Sequence, residues 1–288
     1  MKHSIGVVGG DMRQRYLAQF FIDEGIGPVY GADLCPSGKP DEPSEIPQCG
    51  FYTLLEKAEV VAAPIPITDR EGNITGTGQP WIEFAGGLSA GQTVFGGLLP
   101  GEMIKYLRRK GVRFCDYMKS EQVALKNGVA TAEGAIAEAI RLWPENLQGC
   151  SCMVLGYGRC GRLLALRLKA LGAKVCVYAR RKEIRVQAQT EGMETVSTGE
   201  LERGLSHCPL VFNTIPALVL EKNHIQALPA GHLLLELASG TGCVSESLEK
   251  TERLCRVSCL GLPGKYAPKA SAEILGEYIM EMLQEQQQ

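Results

Sequence analysis

A glycine pattern between two apolar runs is the feature that most constrains the fold of this sequence. The apolar run 152–155 leads into Gly-x-Gly-x-x-Gly at 156–161, and an apolar-rich segment at helical spacing follows at 163–171. A second apolar run covers 174–179. This order predicts a strand, a glycine turn, a helix and a second strand. Together these elements are typical of the phosphate-binding unit of a dinucleotide-binding domain.

Each glycine of the pattern has a separate expected task. Gly156 allows the tight turn, Gly158 lets the backbone approach the pyrophosphate, and Gly161 lets the helix pack closely on the strand. The free N–H groups at the start of the helix then point at the phosphates. Arg159 and Cys160 lie in the same turn and are predicted to belong to the cofactor site. The alternative is a glycine turn in a Rossmann-like domain that binds no nucleotide.

Positive charge follows the second predicted strand. Arg180 and Arg181 come about 24 residues after Gly156, near the position where an acidic residue usually binds the ribose hydroxyls of NAD. Arginine donates paired hydrogen bonds to a phosphate group, so the pattern predicts NADP as the cofactor. A solvated basic turn is the alternative.

Two further loops are predicted to line the cofactor. One follows the apolar run 210–212, and the other follows the apolar strand that begins at Leu235. Their small residues would let a flat nicotinamide ring lie close to the backbone. The predicted contacts are Thr214, Ile215, Pro216, Ala238 and Ser239. Ordinary glycine-rich loops are the alternative.

Strands and helices also alternate in the first half, so the predicted class is α/β. We expect two Rossmann-like domains with parallel sheets around an interdomain cleft. The first would cover 1–125 and carry the catalytic groups, and the second would cover 126–270 and bind NADP. A connecting helix is predicted at 131–143, within the second domain. A terminal helix in 271–288 is expected to pack back on the first domain.

Composition limits the classes of partner. The net charge of −2 gives no reason to expect nucleic acid or an anionic membrane surface. No apolar run is long enough for a transmembrane helix. The 11 cysteines are scattered without metal-ligand spacing, so we expect no metal site and interpret them as reduced thiols of a cytosolic protein.

Polar residues outside the glycine pattern are candidates for substrate chemistry. Arg13, in Gly-Gly-Asp-x-Arg, is interpreted as a carboxylate anchor facing the cleft, with a surface ion pair as the alternative. Lys265 and Tyr266 are predicted on a stiff loop that reaches the same cleft. Thr131 resembles a helix cap and Glu133 an acid of the first helical turn. For Glu133, the alternative is an interaction with the helix dipole alone.

Six segments together resemble the family of dipicolinate synthase A subunits. The shared motifs extend over nearly the whole chain, and Thr-Ala-Glu-Gly-Ala-Ile and Leu-Pro-Gly-Lys-Tyr-Ala-Pro are more discriminating than the glycine pattern. The segments are Gly-Gly-Asp-x-Arg at 9–13, Thr-Ala-Glu-Gly-Ala-Ile at 131–136, Leu-Gly-Tyr-Gly-Arg-Cys-Gly at 155–161, Asn-Thr-Ile-Pro at 213–216, Glu-Leu-Ala-Ser at 236–239 and Leu-Pro-Gly-Lys-Tyr-Ala-Pro at 262–268.

The resemblance implies an activity and a partner. Together with the flavoprotein-like B subunit of dipicolinate synthase, the chain would oxidise dihydrodipicolinate to dipicolinate (pyridine-2,6-dicarboxylate), with NADP as the hydride acceptor. This reaction branches from lysine biosynthesis, and its product is stored with calcium in spores. The implied location is the mother-cell cytoplasm of a sporulating bacterium. Whether the chain is also a homodimer stays open.

The substrate chemistry suggests a role for each candidate. Arg13 and Lys265 would bind the two carboxylates, Thr131 would add a hydroxyl donor, and Glu133 or Tyr266 would transfer the proton. The layout also resembles D-2-hydroxyacid dehydrogenases, but no histidine follows the last strands to complete their Arg–Glu–His set. Two alternatives remain, an NADP-dependent 2-hydroxyacid or imine oxidoreductase and a non-catalytic nucleotide-sensing subunit.

Overall fold

The chain forms two compact domains. A computed structural model describes residues 3–36, 38, 42–43, 45–240, 242–245 and 251–285. The first domain comprises residues 1–126 and 267–288, and the second comprises residues 127–266. The division expected from the sequence was 1–125 and 126–270.

The first domain is a five-stranded parallel sheet with helices. Its strands are ordered β2-β1-β3-β4-β5, so the chain winds outward in both directions from β1. In chain order the elements are β1 (Ile5–Val8), α1 (Met12–Asp23), β2 (Val29–Ala32), α2 (Phe51–Lys57), β3 (Val60–Ala62), α3 (Trp81–Gly87), β4 (Thr93–Gly96), α4 (Gly101–Lys110), β5 (Arg113–Asp116) and, after the second domain, α11 (Pro268–Glu285).

The second domain is a six-stranded parallel sheet ordered β11-β10-β9-β6-β7-β8. Counted within the domain this is 3-2-1-4-5-6 from the β8 edge, the order of dinucleotide-binding domains. The long helix α5 (Glu121–Leu142) leads into it. Its elements are β6 (Ser151–Leu155), α6 (Arg159–Ala170), β7 (Lys174–Tyr178), α7 (Lys182–Thr190), β8 (Glu194–Val196), α8 (Leu201–His207), β9 (Leu210–Asn213), α9 (Lys222–Ala227), β10 (His232–Glu236), β11 (Leu254–Ser258) and α10 (Leu262–Tyr266).

The apolar runs found in the sequence become the central strands. Strands β9 and β10 are buried along their whole length, as expected for parallel strands covered on both faces. Helix α6 buries a stripe at helical spacing, Gly161, Leu164, Ala165 and Leu168, against this sheet. The sheet and the helices therefore hold the glycine turn between β6 and α6 in a fixed frame.

Two local predictions were wrong. The connecting helix begins at Glu121 and not at residue 131, so Thr131 lies in its middle and cannot cap its start. The Thr131 hydroxyl instead donates to the Asn127 carbonyl at 3.0 Å. Lys265 and Tyr266 lie on the short helix α10 and not on a loop. A helix was not predicted there because a proline followed by a glycine, here Pro263 and Gly264, usually indicates a turn.

The last helix, α11, belongs to the first domain. It packs along α1 and buries Ala272, Leu275, Ile279 and Leu283. Among the described helices, none combines the length and the apolar character that a membrane span requires.

Candidate cofactor and substrate site

The turn between β6 and α6 has the geometry that the three glycines predict. Gly156 has φ +94°, a conformation that other residues rarely adopt. A Cβ on Gly161 would lie 2.3 Å from the Gly156 carbonyl oxygen, so only glycine lets the helix approach this closely. At Gly158 an added Cβ meets no atom within 4 Å. The backbone of Gly158 is therefore open to a ligand.

The start of α6 differs from the start of α1. Gly158 caps α6 without any side-chain hydrogen bond, which leaves backbone N–H groups for an anion. In the first domain, the Asp11 carboxylate caps α1 and accepts the Arg13 N–H at 3.0 Å. A carboxylate thus already lies where a phosphate would bind. Of the two helix starts, the one in the second domain suits a phosphate.

A cavity of about 440 Å³ adjoins the glycine turn. Arg180 and Arg181 are exposed, and their guanidinium groups make no hydrogen bond or ion pair with the described part of the chain. The cavity is lined by Gly156, Tyr157, Gly158, Ala179, Arg180, Arg181, Ile184 and Ile215. The residues fit a dinucleotide: the glycine backbone can approach a pyrophosphate, and two arginines lie where β7 ends.

The two predicted loops follow the carboxyl ends of β9 and β10, which are neighbouring strands of the sheet. The Thr214 hydroxyl donates to the Leu155 carbonyl at 2.9 Å and so ties the first loop to the glycine turn. Ile215 lines the cavity, whereas Pro216 is exposed. In the second loop Ala238 is buried and Ser239 is exposed.

Sequence reasoning missed Glu236, which organises both loops. Its buried carboxylate accepts hydrogen bonds from the Asn213 side chain at 2.5 Å and from the backbone N–H of Cys243 at 2.9 Å and Ala238 at 3.2 Å. Arg256 lies 3.5 Å from the same carboxylate. The sequence does contain a signal for Glu236, because a single acidic residue buried in an apolar strand needs hydrogen-bond or charge partners.

Thr131, Glu133 and Cys160 lie around α6. Burial raises the pKa of the Cys160 thiol, and the charge of Arg159 and a hydrogen bond with Thr131 oppose that shift. Glu133 is exposed and lies 3.6 Å from Arg167 of α6. Thr131 and Cys160 are therefore neighbours, and Glu133 is on the outside of the same helix pair.

A second missed residue, Glu138, gathers Lys265 and Tyr266. It lies on α5 with only 5% of its side chain exposed. Its Oε1 accepts hydrogen bonds from the Lys265 ammonium and, at 2.8 Å, from the Tyr266 hydroxyl. Its Oε2 accepts two hydrogen bonds from Arg141, at 2.7 and 2.9 Å. We call Glu138, Arg141, Lys265 and Tyr266 the Glu138 cluster.

The pKa values in this cluster follow from its contacts. The hydrogen bond from Lys265, together with those from Arg141 and Tyr266, lowers the pKa of Glu138 to about 2 against the opposing effect of burial. The same contact raises the pKa of Lys265. Burial and the bond to Glu138 raise the pKa of Tyr266. At neutral pH, Glu138 is ionised and Lys265 and Tyr266 are protonated.

Arg13 is almost wholly buried in the first domain, with 8% exposed. Its Nε and Nη2 bind the Asp11 carboxylate, and Nη2 also donates to the Ile65 carbonyl at 2.9 Å. Among the described residues, no partner accepts a hydrogen bond from its Nη1. The ion pair that was considered as the alternative for Arg13 is therefore present. The Nη1 group of the guanidinium remains available as a donor.

Histidine contributes little to the candidate chemistry. His232 is buried, and its ring nitrogens lie 3.0 and 2.9 Å from the backbone carbonyls of Pro229 and Leu205. No histidine follows His232 in the chain. Across the described ranges, no group of three or more His, Cys, Asp or Glu side chains is placed to hold a metal ion.

Family models match both domains. Residues 4–118 match the N-terminal domain of the dipicolinate synthase A subunit. Residues 121–254 match the NAD-binding domain of D-isomer specific 2-hydroxyacid dehydrogenases. The chain is also 30% identical over 165 residues to the dipicolinate synthase A subunit of Bacillus subtilis (strain 168). That match covers 57% of this chain and 56% of the relative.

Solved structures share the fold over nearly the full length. The dipicolinate synthase A subunit from Bacillus halodurans superposes with a TM-score of 0.85 at 24% identity, covering 98% of this chain and 97% of that one. The corresponding dipicolinate synthase chain from Bacillus subtilis gives a TM-score of 0.83 at 23% identity, covering 100% and 97%. A transhydrogenase from Sinorhizobium meliloti gives 0.71 at 14% identity, covering 97% and 94%.

These findings agree with the geometry of each domain. The predicted class, two α/β domains with parallel sheets, is confirmed. The predicted resemblance is confirmed as well. The match of residues 121–254 to an NAD-binding domain of dehydrogenases supports a nicotinamide dinucleotide as the cofactor of the second domain.

Proposed function

We propose that this chain, whose residues 4–118 match the N-terminal domain of the dipicolinate synthase A subunit, oxidises dihydrodipicolinate to dipicolinate with NADP as the hydride acceptor. One observation carries the choice of cofactor. Arg180 and Arg181 follow β7 as exposed cations on the cavity that adjoins the glycine turn. A 2′-phosphate offers the anion that two arginines recognise well.

The cofactor, when bound, supplies the oxidising power by accepting a hydride. The chain has to bind the diacid, orient one C–H bond and receive a proton. Loss of a hydride and a proton makes the ring aromatic, so the substrate itself favours the reaction. Binding and orientation then account for most of what the side chains must do.

Two cations are our candidates for binding a carboxylate of the substrate. Lys265 is more than half exposed and has N–H groups beyond the one directed at Glu138. Arg13, in the first domain, is the other candidate, because no described residue accepts a hydrogen bond from its Nη1. Each is proposed as a binding residue, and loss of either should raise KM for the diacid while leaving NADP affinity intact.

Glu133 is our candidate for the proton acceptor. It is exposed, so a proton taken from the substrate can pass on to water. Thr131 is retained as a hydroxyl donor. Tyr266 is the other candidate, but its hydroxyl already donates to Glu138 and its raised pKa keeps it protonated, which favours a role as a hydrogen-bond partner.

The proposal includes a partner protein and a biological setting. The related proteins are named as the A subunits of a synthase, and on that basis we propose the B subunit of that synthase as partner. We further propose that the activity serves spore formation in the mother cell. Co-purification of the two chains from sporulating cells would test both statements.

A second candidate function rests on the dehydrogenase match. Residues 121–254 match a domain of D-2-hydroxyacid dehydrogenases, so oxidation of a 2-hydroxyacid, or reduction of an imine, is the alternative. Two features disfavour it. His232 is the last histidine in the chain, and both of its ring nitrogens face backbone carbonyls.

The test combines binding and turnover. Calorimetric titration with NADP and NAD should show a clear preference for NADP. The purified chain, alone and with the B subunit, should reduce NADP when supplied with dihydrodipicolinate, followed by the absorbance of the reduced nicotinamide. Turnover of 2-hydroxyacids but not of the dihydropyridine would favour the alternative. Binding without any turnover would indicate a nucleotide sensor.

A further inference from the structure

Two segments far apart in the sequence meet in the second domain. They are the Thr-Ala-Glu-Gly segment of α5 and the Leu-Pro-Gly-Lys-Tyr segment of α10. A Cβ on Gly134 would lie 2.9 Å from both the Leu262 Cβ and the Tyr266 ring, so the missing side chain lets α10 approach the α5 backbone. One helical turn after Gly134, the Glu138 carboxylate accepts a hydrogen bond from the Tyr266 hydroxyl. The glycine and the glutamate thus act together on α10.

The Glu138 carboxylate has no capacity left for another donor. A carboxylate has about four acceptor positions. Lys265 and Tyr266 occupy Oε1, and Arg141 occupies Oε2 through two N–H groups. Since its pKa is also lowered to about 2, Glu138 neither binds a substrate directly nor accepts a proton near neutral pH.

The donors around Glu138 remain accessible. The side chains of Lys265 and Arg141 are 54% and 59% exposed, and Tyr266 is 38% exposed. Two cations and one carboxylate give the cluster a net charge of +1. Cys259 interacts electrostatically with Glu138, Lys265 and Arg141, and burial raises its pKa to about 11, so it stays neutral. The exposed side of the cluster therefore favours an anion.

The position of the cluster fits the reacting end of the cofactor. Helix α10 follows β11, and the glycine turn follows β6, so both lie beyond the carboxyl ends of parallel strands. In a dinucleotide domain the adenosine half lies over β6, β7 and β8, and the nicotinamide half lies over β9, β10 and β11. Lys265 and Tyr266 of the cluster therefore follow the last strand of the nicotinamide half.

We propose that Glu138 is a positioning residue that holds Lys265, Arg141 and Tyr266 as one binding site for a carboxylate of the substrate. The inference rests on the proposed function for the identity of the diacid. It goes further by assigning Arg141 as a second cation and Glu138 as the group that fixes all three donors. A role limited to joining α5 and α10 is the competing explanation.

Glu138→Gln is the principal test. The amide keeps the size of the side chain but turns an N–H group toward the donors, so the three side chains lose their common acceptor. We expect KM for dihydrodipicolinate, and Kd for dipicolinate measured by calorimetry, to rise about tenfold or more. The Kd for NADP should stay within about twofold of the wild-type value, a change of only about 0.4 kcal/mol in binding free energy. Glu138→Asp keeps the charge and should recover part of the affinity.

Two readouts separate positioning from simple packing. Because Glu138 raises the pKa of Lys265, dipicolinate binding by the E138Q variant should fail at a lower pH than binding by wild type. At mildly alkaline pH, an amine-acylating reagent should label Lys265 several times faster in the variant, as measured by peptide mass spectrometry. Labelling of Lys169, whose ammonium donates to the Glu191 carbonyl, should not change.

Glu191→Gln is a matched control for lost stability. Glu191 is a partly buried carboxylate of the same domain that accepts hydrogen bonds from Tyr157 at 2.6 Å and Arg162 at 2.9 Å. Its loss should lower the melting temperature and affect NADP, because Tyr157 lines the cofactor cavity, but should leave the Kd for dipicolinate unchanged. Glu202→Gln, at an exposed position on α8, controls for the loss of one charge.

The outcomes distinguish this inference from the proposed function. If wild type turns over dihydrodipicolinate and the E138Q variant matches it in KM, in Kd for dipicolinate and in pH dependence, the inference is wrong and the function stands. If wild type binds dipicolinate without turnover, the function is wrong, and the binding and labelling arms still decide the inference. A wild-type protein that binds no dicarboxylate would overturn both.

Discussion

Gly158 and Gly161 belong to the same turn, yet an added methyl group meets different surroundings at each. At Gly161 it would lie against the backbone of Gly156, whereas at Gly158 it meets open space. Gly158 also has φ −82°, which any residue adopts. Folding and ligand binding therefore place separate demands on the two positions.

Gly161→Ala and Gly158→Ala should accordingly fail in different ways. The first should lower the free energy of unfolding of the second domain by about 1–3 kcal/mol, because the added carbon overpacks the strand–helix contact. The second should fold normally but lose most of its NADP affinity, because the methyl group occupies space needed by the pyrophosphate. Chemical denaturation and calorimetry measure the two effects. A G158A variant with wild-type affinity would refute this location for the pyrophosphate.

Replacing both Arg180 and Arg181 by alanine should remove the preference for NADP over NAD. Hydrogen bonds to charged groups contribute about 1.5–3 kcal/mol each, so losing one such bond from each arginine should weaken NADP binding about 100-fold or more. NAD lacks the 2′-phosphate, and its affinity should change little. Calorimetric Kd values for the two cofactors give the comparison.

Lys182→Ala is the matched control for that experiment. Lys182 is the next cation in the chain and is exposed, but it does not line the cavity. Its removal should leave the ratio of the NADP and NAD affinities unchanged. Equal losses for both cofactors in the double variant would show that the arginines do not recognise a 2′-phosphate.

Among single residues, those whose role depends on the local chain could be predicted from the sequence. Those whose role depends on partners far along the chain could not. The glycine turn is local, and its spacing alone predicts it. Besides nearby partners, Glu138 binds Tyr266, which is 128 residues away, and Glu236 binds Asn213, which is 23 residues away, so no local pattern identifies these distant partners. Each is nonetheless an acid among buried apolar neighbours, which is a usable signal.

Single elements differ in how well their sequence predicts them. The buried strands β6, β9 and β10 were predicted because parallel strands covered on both faces are continuous apolar runs. Strand β8 was missed, since it has three residues at the sheet edge and only Val196 is buried. The start of α5 was missed because Ser120 and Glu121 form an equally good beginning ten residues earlier.

The contact of α11 with α1 should contribute strongly to the stability of the first domain. Ile279 is fully buried on this face. Ile279→Ala should lower the free energy of unfolding by about 2–5 kcal/mol, since it removes apolar contacts and leaves a cavity. Gln284→Ala, at an exposed position of the same helix, should change it by less than about 0.5 kcal/mol. Urea denaturation measures both, and equal values would indicate that α11 is only loosely attached.

The whole molecule combines two sheets of different topology. The strand order is 2-1-3-4-5 in the first domain and 3-2-1-4-5-6 in the second. The first helix of the first domain begins at an aspartate whose side chain caps it, whereas the first helix after β6 begins at a glycine, which has no side chain to cap it. The sequence predicted both as Rossmann-like because both alternate strands with helices. The assignment of the nucleotide to the second domain depends on the helix starts and not on the alternation.

This difference predicts that NADP stabilises one domain. The chain has two tryptophans, Trp81 in the first domain and Trp143 in the second, so Trp81→Phe and Trp143→Phe leave one reporter each. At 100 times its Kd, NADP should add about 2.7 kcal/mol to the free energy of unfolding of the domain that binds it. In urea titrations, the Trp143 transition should therefore move to higher urea while the Trp81 transition stays in place. Equal movement of both would show that the domains unfold as one cooperative unit, and no movement of the Trp143 transition would contradict binding in the second domain.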